Sequence, residues 1–191
     1  MIDALTWREA QHEDVPAFVA LVESAYRGED SRAGWTTEAD LLAGQRLDEA
    51  MGRDMLDATD SLVLLFWQGV GIEALTASTG NAPAPPIACV QLEDRGCGIA
   101  YFGTFAVSPQ RQGGGIGSLV MAAAEQAVAE RWEAKTLRMT VIRQRQELIS
   151  YYERRGFALT GETEPFPYGQ EQFGLPQRED LEFVVLEKQL N

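Results

Sequence analysis

The spacing of apolar residues changes several times along the chain, and each change marks the edge of an element. Phe18, Leu21, Val22 and Ala25 recur at helical spacing, and Pro16 stands in a first turn, where its missing N–H costs nothing. A helix is therefore predicted from about Asp14 to Tyr26, after a short strand over residues 5–10. A second helix is expected from Thr37, where Thr37-Glu38-Ala39-Asp40 resembles a capping box with Asp in the Glu position. It would carry on through Leu41, Leu42 and Leu47 and break at Gly52. Residues 62–67 form a continuous apolar run, the pattern of a strand buried on both faces. Residues 68–86 read as a surface loop, since Pro83, Pro85 and Pro86 bar regular structure at its end. Strands follow over 87–92 and 99–107, joined by a turn with two glycines. Ile116, Leu119, Val120, Ala123, Ala127 and Val128 make the longest apolar stripe, a helix over 116–132. Leu137, Met139 and Val141 alternate as a strand. Residues 146–155 are helical and close at Gly156, which suits the left-handed position past a helix end. Two further strands, over 158–161 and 181–190, flank a long loop.

This order, hairpin strands followed by a strand–helix–strand crossover, predicts an α/β (α+β) fold with a mixed sheet and helices on its faces. The 191 residues suffice for one domain with a full core, taken as 1–191, and no internal repeat interrupts them.

Charge adds a local contrast. The net charge is −13, which argues against general nucleic-acid binding, because affinity for phosphate backbones comes from Lys and Arg. Yet residues 111–155 hold eight basic and five acidic residues, a net of +3, against −16 for the rest. A positive segment in an acidic chain suits a small polyanion or reflects chance clustering on solvated helix faces. The opening residues carry Asp3 and Glu9 and lack a signal-like apolar region, and no apolar run is long enough to span a bilayer. Cys89 and Cys97 read as free thiols, so a cytoplasmic protein away from membranes is expected. A single histidine, His12, makes a metal site unexpected.

The chemistry concentrates in residues 105–118, Phe-Ala-Val-Ser-Pro-Gln-Arg-Gln-Gly-Gly-Gly-Ile-Gly-Ser. Glycines ahead of a helix bring backbone N–H groups and the helix dipole together, an arrangement that favours an anion such as pyrophosphate. Ser118 and Val120 stand where a dinucleotide-binding G-x-G-x-x-G would need its last glycine, and no Gly-Lys-Ser/Thr is present for a Walker loop. Gln112-Gly-Gly-Gly-Ile-Gly117 resembles instead the Q/R-x-x-G-x-G/A signature of the GNAT acetyltransferase superfamily. Downstream, Tyr152-Glu-Arg-Arg-Gly-Phe157 resembles that superfamily's Y-x-x-x-G-F element. The strong likeness covers about residues 87–162.

The resemblance implies a GNAT-like twisted sheet of about seven strands with about four helices, splayed between the fourth and fifth strands, at 99–107 and 136–142. It implies acetyl-CoA as cosubstrate. The pantetheine arm would run along backbone groups of Phe105, Ala106 and Val107. The pyrophosphate would sit on the N–H groups of Gln112, Gly113, Gly114, Gly115, Ile116, Gly117 and Ser118, with Arg111, Arg143 and Arg145 meeting phosphates. Arg145 occupies a position where the superfamily often has Asn, so an amide contact there passes to Gln144 or Gln146, or Arg145 reaches a phosphate. Tyr152 matches the tyrosine that protonates the departing thiolate; the other reading of its spacing with Leu148 and Ile149 is core packing. No carboxylate lies on the strand over 99–107 to act as base, and Glu29, Asp30 and Glu38 read as surface charges. For the acceptor amine, Glu29, Arg32 and Trp35 lie in a loop that builds the pocket in this fold, with Arg32 a partner for a substrate carboxylate. The aromatic run Phe166, Tyr168 and Phe173 either walls that pocket or pins its own loop. The implied activity is acetyl transfer to a primary amine, on a small molecule rather than a protein. The alternative is a catalytically silent acyl-CoA-binding module. A homodimer is compatible with the sequence.

Overall fold

The computed structural model of the chain describes residues 5–76 and 84–190. The elements run β1 (Leu5–Glu9), α1 (Val15–Tyr26), α2 (Gly28–Ser31), β2 (Leu42–Ala43), α3 (Glu49–Asp57), β3 (Ser61–Gln68), α4 (Ile72–Thr76), β4 (Ala88–Asp94) and β5 (Ile99–Val107). They continue α5 (Ile116–Trp132), β6 (Thr136–Ile142), α6 (Gln146–Glu153), β7 (Ala158–Pro165), β8 (Leu175–Pro176) and β9 (Glu182–Gln189). A seven-stranded mixed sheet has the order β1-β3-β4-β5-β6-β9-β7, and β2 pairs with β8 in a separate ribbon. Every neighbour in the large sheet is antiparallel except β5 and β6, which the α5 crossover makes parallel.

The unbroken apolar run of β3 follows from its central place. Leu62, Leu64 and Phe66 face the core under α5 and α6, with Val90, Leu92, Phe102, Val120, Met121 and Ala124. Val63, Leu65 and Trp67 face the opposite core with Phe18, Leu21 and Val22 of α1. A strand buried on both faces has no polar phase to show. Asp14 precedes α1 as expected, but its carboxylate turns inward to take both arms of Arg8, at 2.6 and 3.0 Å.

The helix expected from Thr37 does not form. The Thr37 hydroxyl bonds the Ser31 hydroxyl at 2.6 Å and accepts the Ala39 N–H at 3.2 Å, a local turn that competes with helix. Leu42 and Ala43 then pair with Pro176 and Leu175. The helix starts twelve residues later, where the Asp48 carboxylate caps the Met51 N–H at 2.8 Å. Gly52, expected to break a helix, lies inside α3, where a Cβ would come within 3.1 Å of the Val15 side chain. The expected loop over 68–86 contains α4, and residues 77–83 of it lie outside the described residues. The long loop before β9 is tied down by the β2–β8 pair and by a small cluster of Leu42, Ile142, Phe166 and Leu181.

Candidate active site

The parallel pairing of β5 with β6 lasts for three positions, Ile99 to Tyr101 against Thr136 to Arg138, and then the strands part. Each follows its other neighbour: β6 stays paired to β9 along its whole length, β5 to β4. A bulge sharpens the divergence. Cys89 faces Ala106 and Gln91 faces Gly103, so Thr104 and Phe105 together oppose Val90. Thr104 takes a φ of +41° there, and its buried hydroxyl donates to the Gln91 Oε1 at 3.1 Å.

The wedge between the parted strands opens into two cavities. One, of about 280 Å³, lies between β5 and β6 and is lined by Tyr101, Phe105, Met139, Thr140, Phe166 and Phe183 among others. The other, of about 650 Å³, lies beyond β5 against the glycine loop and α6. Tyr26, Phe105, Arg145, Leu148 and Tyr152 line both and so mark the junction.

The larger cavity gathers most of the residues singled out in the sequence: Phe105, Val107, Arg111, Gln112, Gly113, Gly115, Ile116, Gly117, Arg145, Tyr152 and Trp35. Gly113 and Gly115 hold φ of +83° and +81°, and Gly115 caps α5 from the left-handed region. The N–H groups of residues 113–117 meet no protein acceptor among the described residues. They form the open donor array that an anion at a helix N-terminus needs. The Gln112 side chain is employed otherwise. Its Oε1 accepts the Trp35 N–H at 3.0 Å, and its Nε2 donates to the Thr36 hydroxyl at 2.9 Å and the Val107 carbonyl at 3.0 Å. That clamp holds the segment before β2 against the end of β5. It also requires glycine at 34, where a Cβ would lie 2.7 Å from the Gln112 Oε1. The Phe105 carbonyl accepts the Tyr26 hydroxyl, so on β5 both Phe105 and Val107 carry a side-chain donor and keep one lone pair for a ligand.

Ala106, Gly114 and Ser118 do not line the cavity. The Ala106 side chain packs into the core under α1, and the Ser118 hydroxyl accepts from Arg155 Nε at 3.2 Å. Trp35 belongs to this larger cavity and not to the smaller one, its ring 5.0 Å from that of Tyr151. Arg155 in turn covers Tyr151 at 3.4 Å. The Tyr151 hydroxyl reaches the glycine loop, 2.3 Å from where a Cβ on Gly117 would stand. Tyr152 is buried at the junction, edge-on to Phe102 and Phe157, and burial pushes its phenol well above the usual tyrosine range.

Arg145 does not extend toward the glycine loop. Its guanidinium donates to Glu38 Oε1 at 2.9 Å and to the Thr36 carbonyl at 2.6 Å, with the side chain 9% exposed. Glu38, expected on the surface, is the buried centre of this network, for Arg27 takes its other oxygen at 2.6 Å. Burial opposes its ionisation, but Arg145, Arg46 and Arg27 outweigh that and hold it below the ordinary carboxylate value. Burial likewise pushes the Tyr26 phenol up to about 12. Arg143 is drawn away to an ion pair with Glu182. Arg32 and Glu29 line neither cavity: Arg32 pairs with Asp40 at 2.9 Å and with Glu29 at 3.3 Å on the surface. The aromatic run divides its tasks. Phe166 walls the smaller cavity, whereas the Tyr168 hydroxyl pins its loop, accepting the Leu181 N–H at 2.7 Å and donating to the Arg178 carbonyl at 3.1 Å. The Phe173 side chain and that of Asp30 lie outside the described residues.

Residues 48–157 match the family model of the Acetyltransferase (GNAT) family, more than half of the chain. The chain belongs to the GNAT acetyltransferase family. It is an acetyl-CoA-dependent N-acetyltransferase, and its sheet and flanking helices form the GNAT fold. No curated protein matches the sequence significantly. Among solved structures, an N-acetyltransferase from Staphylococcus aureus Mu50 superposes with a TM-score of 0.67 at 12% identity, over 98% of this chain and 98% of that one. The ribosomal-protein-S18-alanine N-acetyltransferase of Escherichia coli gives 0.65 at 14% identity, over 98% and 95%. IAA acetyltransferase from Bacillus cereus ATCC 14579 gives 0.62 at 15%, over 98% and 100%. At these identities the likeness is one of fold.

Proposed function

We propose that this GNAT enzyme transfers the acetyl group of acetyl-CoA to the primary amine of a small molecule held between β5 and β6. The observation that carries the reading is the junction: Tyr152 lines both cavities, one with a donor array suited to a pyrophosphate and one walled in part by Tyr101, Phe166 and Phe183. In this reading the N–H groups of 113–117 take the pyrophosphate, and the pantetheine arm runs past the free lone pairs of Phe105 and Val107. The thioester then lies beside Tyr152, and the acceptor occupies the smaller cavity. At about 280 Å³, that cavity suits a small molecule rather than a folded protein surface.

Attack of the amine on the thioester carbonyl gives a tetrahedral oxyanion, and a backbone N–H on the bulged part of β5 is suited to stabilise it. As the C–S bond breaks, the thiolate takes a proton from the Tyr152 phenol, kept protonated by burial, and the proton that the newly acylated nitrogen sheds restores the phenol. Glu38 is a poor base, since both its oxygens hold arginines and its pKa is depressed. The Glu38–Arg145 pair serves to position the junction, and the amine is taken up neutral or loses its proton to water. Titration calorimetry with acetyl-CoA, followed by thiol release in the presence of an amine panel, tests the reading. Micromolar binding with amine-dependent release is expected, and absence of either rejects it.

A further inference from the structure

One cation lining the smaller cavity has no ion-pair partner among the described residues. Glu38 is the one carboxylate lining it, and its two oxygens are taken by Arg27 and Arg145. Arg46 lines the same cavity, half-buried, with its guanidinium 5.7 Å from the centre of the Tyr26 ring. Among the described residues no carboxylate lies within ion-pairing distance of it, although it stands near enough to Glu38 to help depress that pKa.

Its position is built. The carboxylate of Glu23 on α1 accepts the backbone N–H of Arg46 at 2.6 Å and of Leu47 at 2.7 Å. Glu23 is thus spent on the backbone, and the side chain is left to face the cavity above the Tyr26 ring. A guanidinium presents paired N–H groups that match a carboxylate in two-point fashion. The apolar part of the remaining wall is formed by Met139, Ile142, Phe166 and Phe183. Two of its polar groups are already engaged, the hydroxyls of Tyr101 and Thr140 bonding each other at 2.7 Å.

We infer that Arg46 binds the carboxylate of the acceptor, so that the substrate class is a free amino acid with an apolar side chain. The inference rests on the acetyltransferase reading above and narrows its acceptor. It moves the carboxylate-binding role from surface Arg32 to Arg46, on the far side of the β2 segment. An amine whose carboxylate is amidated, removed or tied into a peptide bond loses the two-point contact and leaves the guanidinium facing an uncharged group.

The test compares leucine and methionine with leucinamide, 3-methylbutylamine and a leucyl dipeptide amide, following acetyl-CoA-dependent thiol release. The free amino acids should have kcat/KM about ten- to a hundredfold above their uncharged counterparts. In Arg46→Ala that ratio should fall close to one, and in Arg46→Lys it should recover in part. Acetyl-CoA affinity and melting temperature, measured on the same variants, separate a folding defect from a lost contact. Equal use of leucine and leucinamide by the wild type overturns the inference, as does a ratio unmoved by Arg46→Ala or an absence of amino-acid turnover in a protein that binds acetyl-CoA. Failure to bind acetyl-CoA at all would instead reject the acetyltransferase reading.

Discussion

Two adjacent tyrosines, 100° apart on α6, meet different parts of the site. Tyr152 points to the junction of the cavities, Tyr151 to the glycine loop. Tyr152→Phe keeps the ring and its packing and removes the hydroxyl proposed to protonate the thiolate. Its kcat should fall by roughly 10²–10⁴-fold with acetyl-CoA affinity unchanged, as read by steady-state kinetics and calorimetry. Because burial raises the Tyr152 pKa, the acid form persists through neutral pH, and the rate should show no downward limb from this group below about pH 10. A limb below that value that vanishes in Tyr152→Phe would assign the phenol a lower pKa than the structure supports. Tyr151 lines the larger cavity, the proposed site of acetyl-CoA. Gly117→Ala would drive a Cβ into its hydroxyl and to 3.3 Å from Phe105, so the ring must shift from its tilted contact with Trp35 and from under Arg155. Acetyl-CoA should then bind about tenfold more weakly, with little change in melting temperature, since alanine is otherwise welcome in a helix.

At the scale of elements, the segment between α1 and α3 serves as a wall held by side chains rather than by regular structure. Gln112 clamps it to β5, Arg145 anchors it from the start of α6, and the β2–β8 ribbon ties it to the loop before β9. Glu38 is the centre of that arrangement. Glu38→Gln leaves Arg27 and Arg145 buried without their carboxylate and should cost about 3–5 kcal/mol of unfolding free energy, as read by chemical denaturation. The sign of the pH effect follows from its depressed pKa. The carboxylate's contribution is complete above the unfolded value of 4.5 and fades as pH falls through the lower folded value. Wild type and Glu38→Gln should therefore converge in stability below pH 4.5; a constant gap down to pH 3 would contradict the assignment.

Over the whole molecule, an acidic chain with net charge −13 presents a local basic rim at the mouth of the larger cavity, from Arg111, Arg154 and Arg155. Acetyl-CoA affinity should fall as salt rises, and more gently in Arg154→Ala, whose side chain is exposed at that rim. Isothermal titrations between low and physiological ionic strength check this; identical slopes would remove Arg154 from the phosphate contacts. Arg145→Ala should leave the slope as it is, because that guanidinium is buried against Glu38.

How much of this could be read beforehand depended on the range of the interactions. Periodicity and glycine placement determined the strand–loop–helix over residues 105–132, and residues 112–117 and 152–157 carried the family resemblance, because each is encoded within a dozen neighbours. The splay came only with that resemblance, since it depends on β6 pairing with β9 and β5 with β4. The stretch over 37–52 misled, since Thr37-Glu38-Ala39-Asp40 satisfies a local capping pattern while Glu38 is claimed by Arg145, more than a hundred residues away. A charged residue is read as exposed by default, and no local signal says that two arginines will meet it in the core. For the same reason Arg32 and Arg46 look alike in the sequence. The folded chain gives one two acidic neighbours at the surface and leaves the other over the Tyr26 ring with no ion pair among the described residues, because which charges meet is decided by long-range packing of loops and not by spacing along the chain.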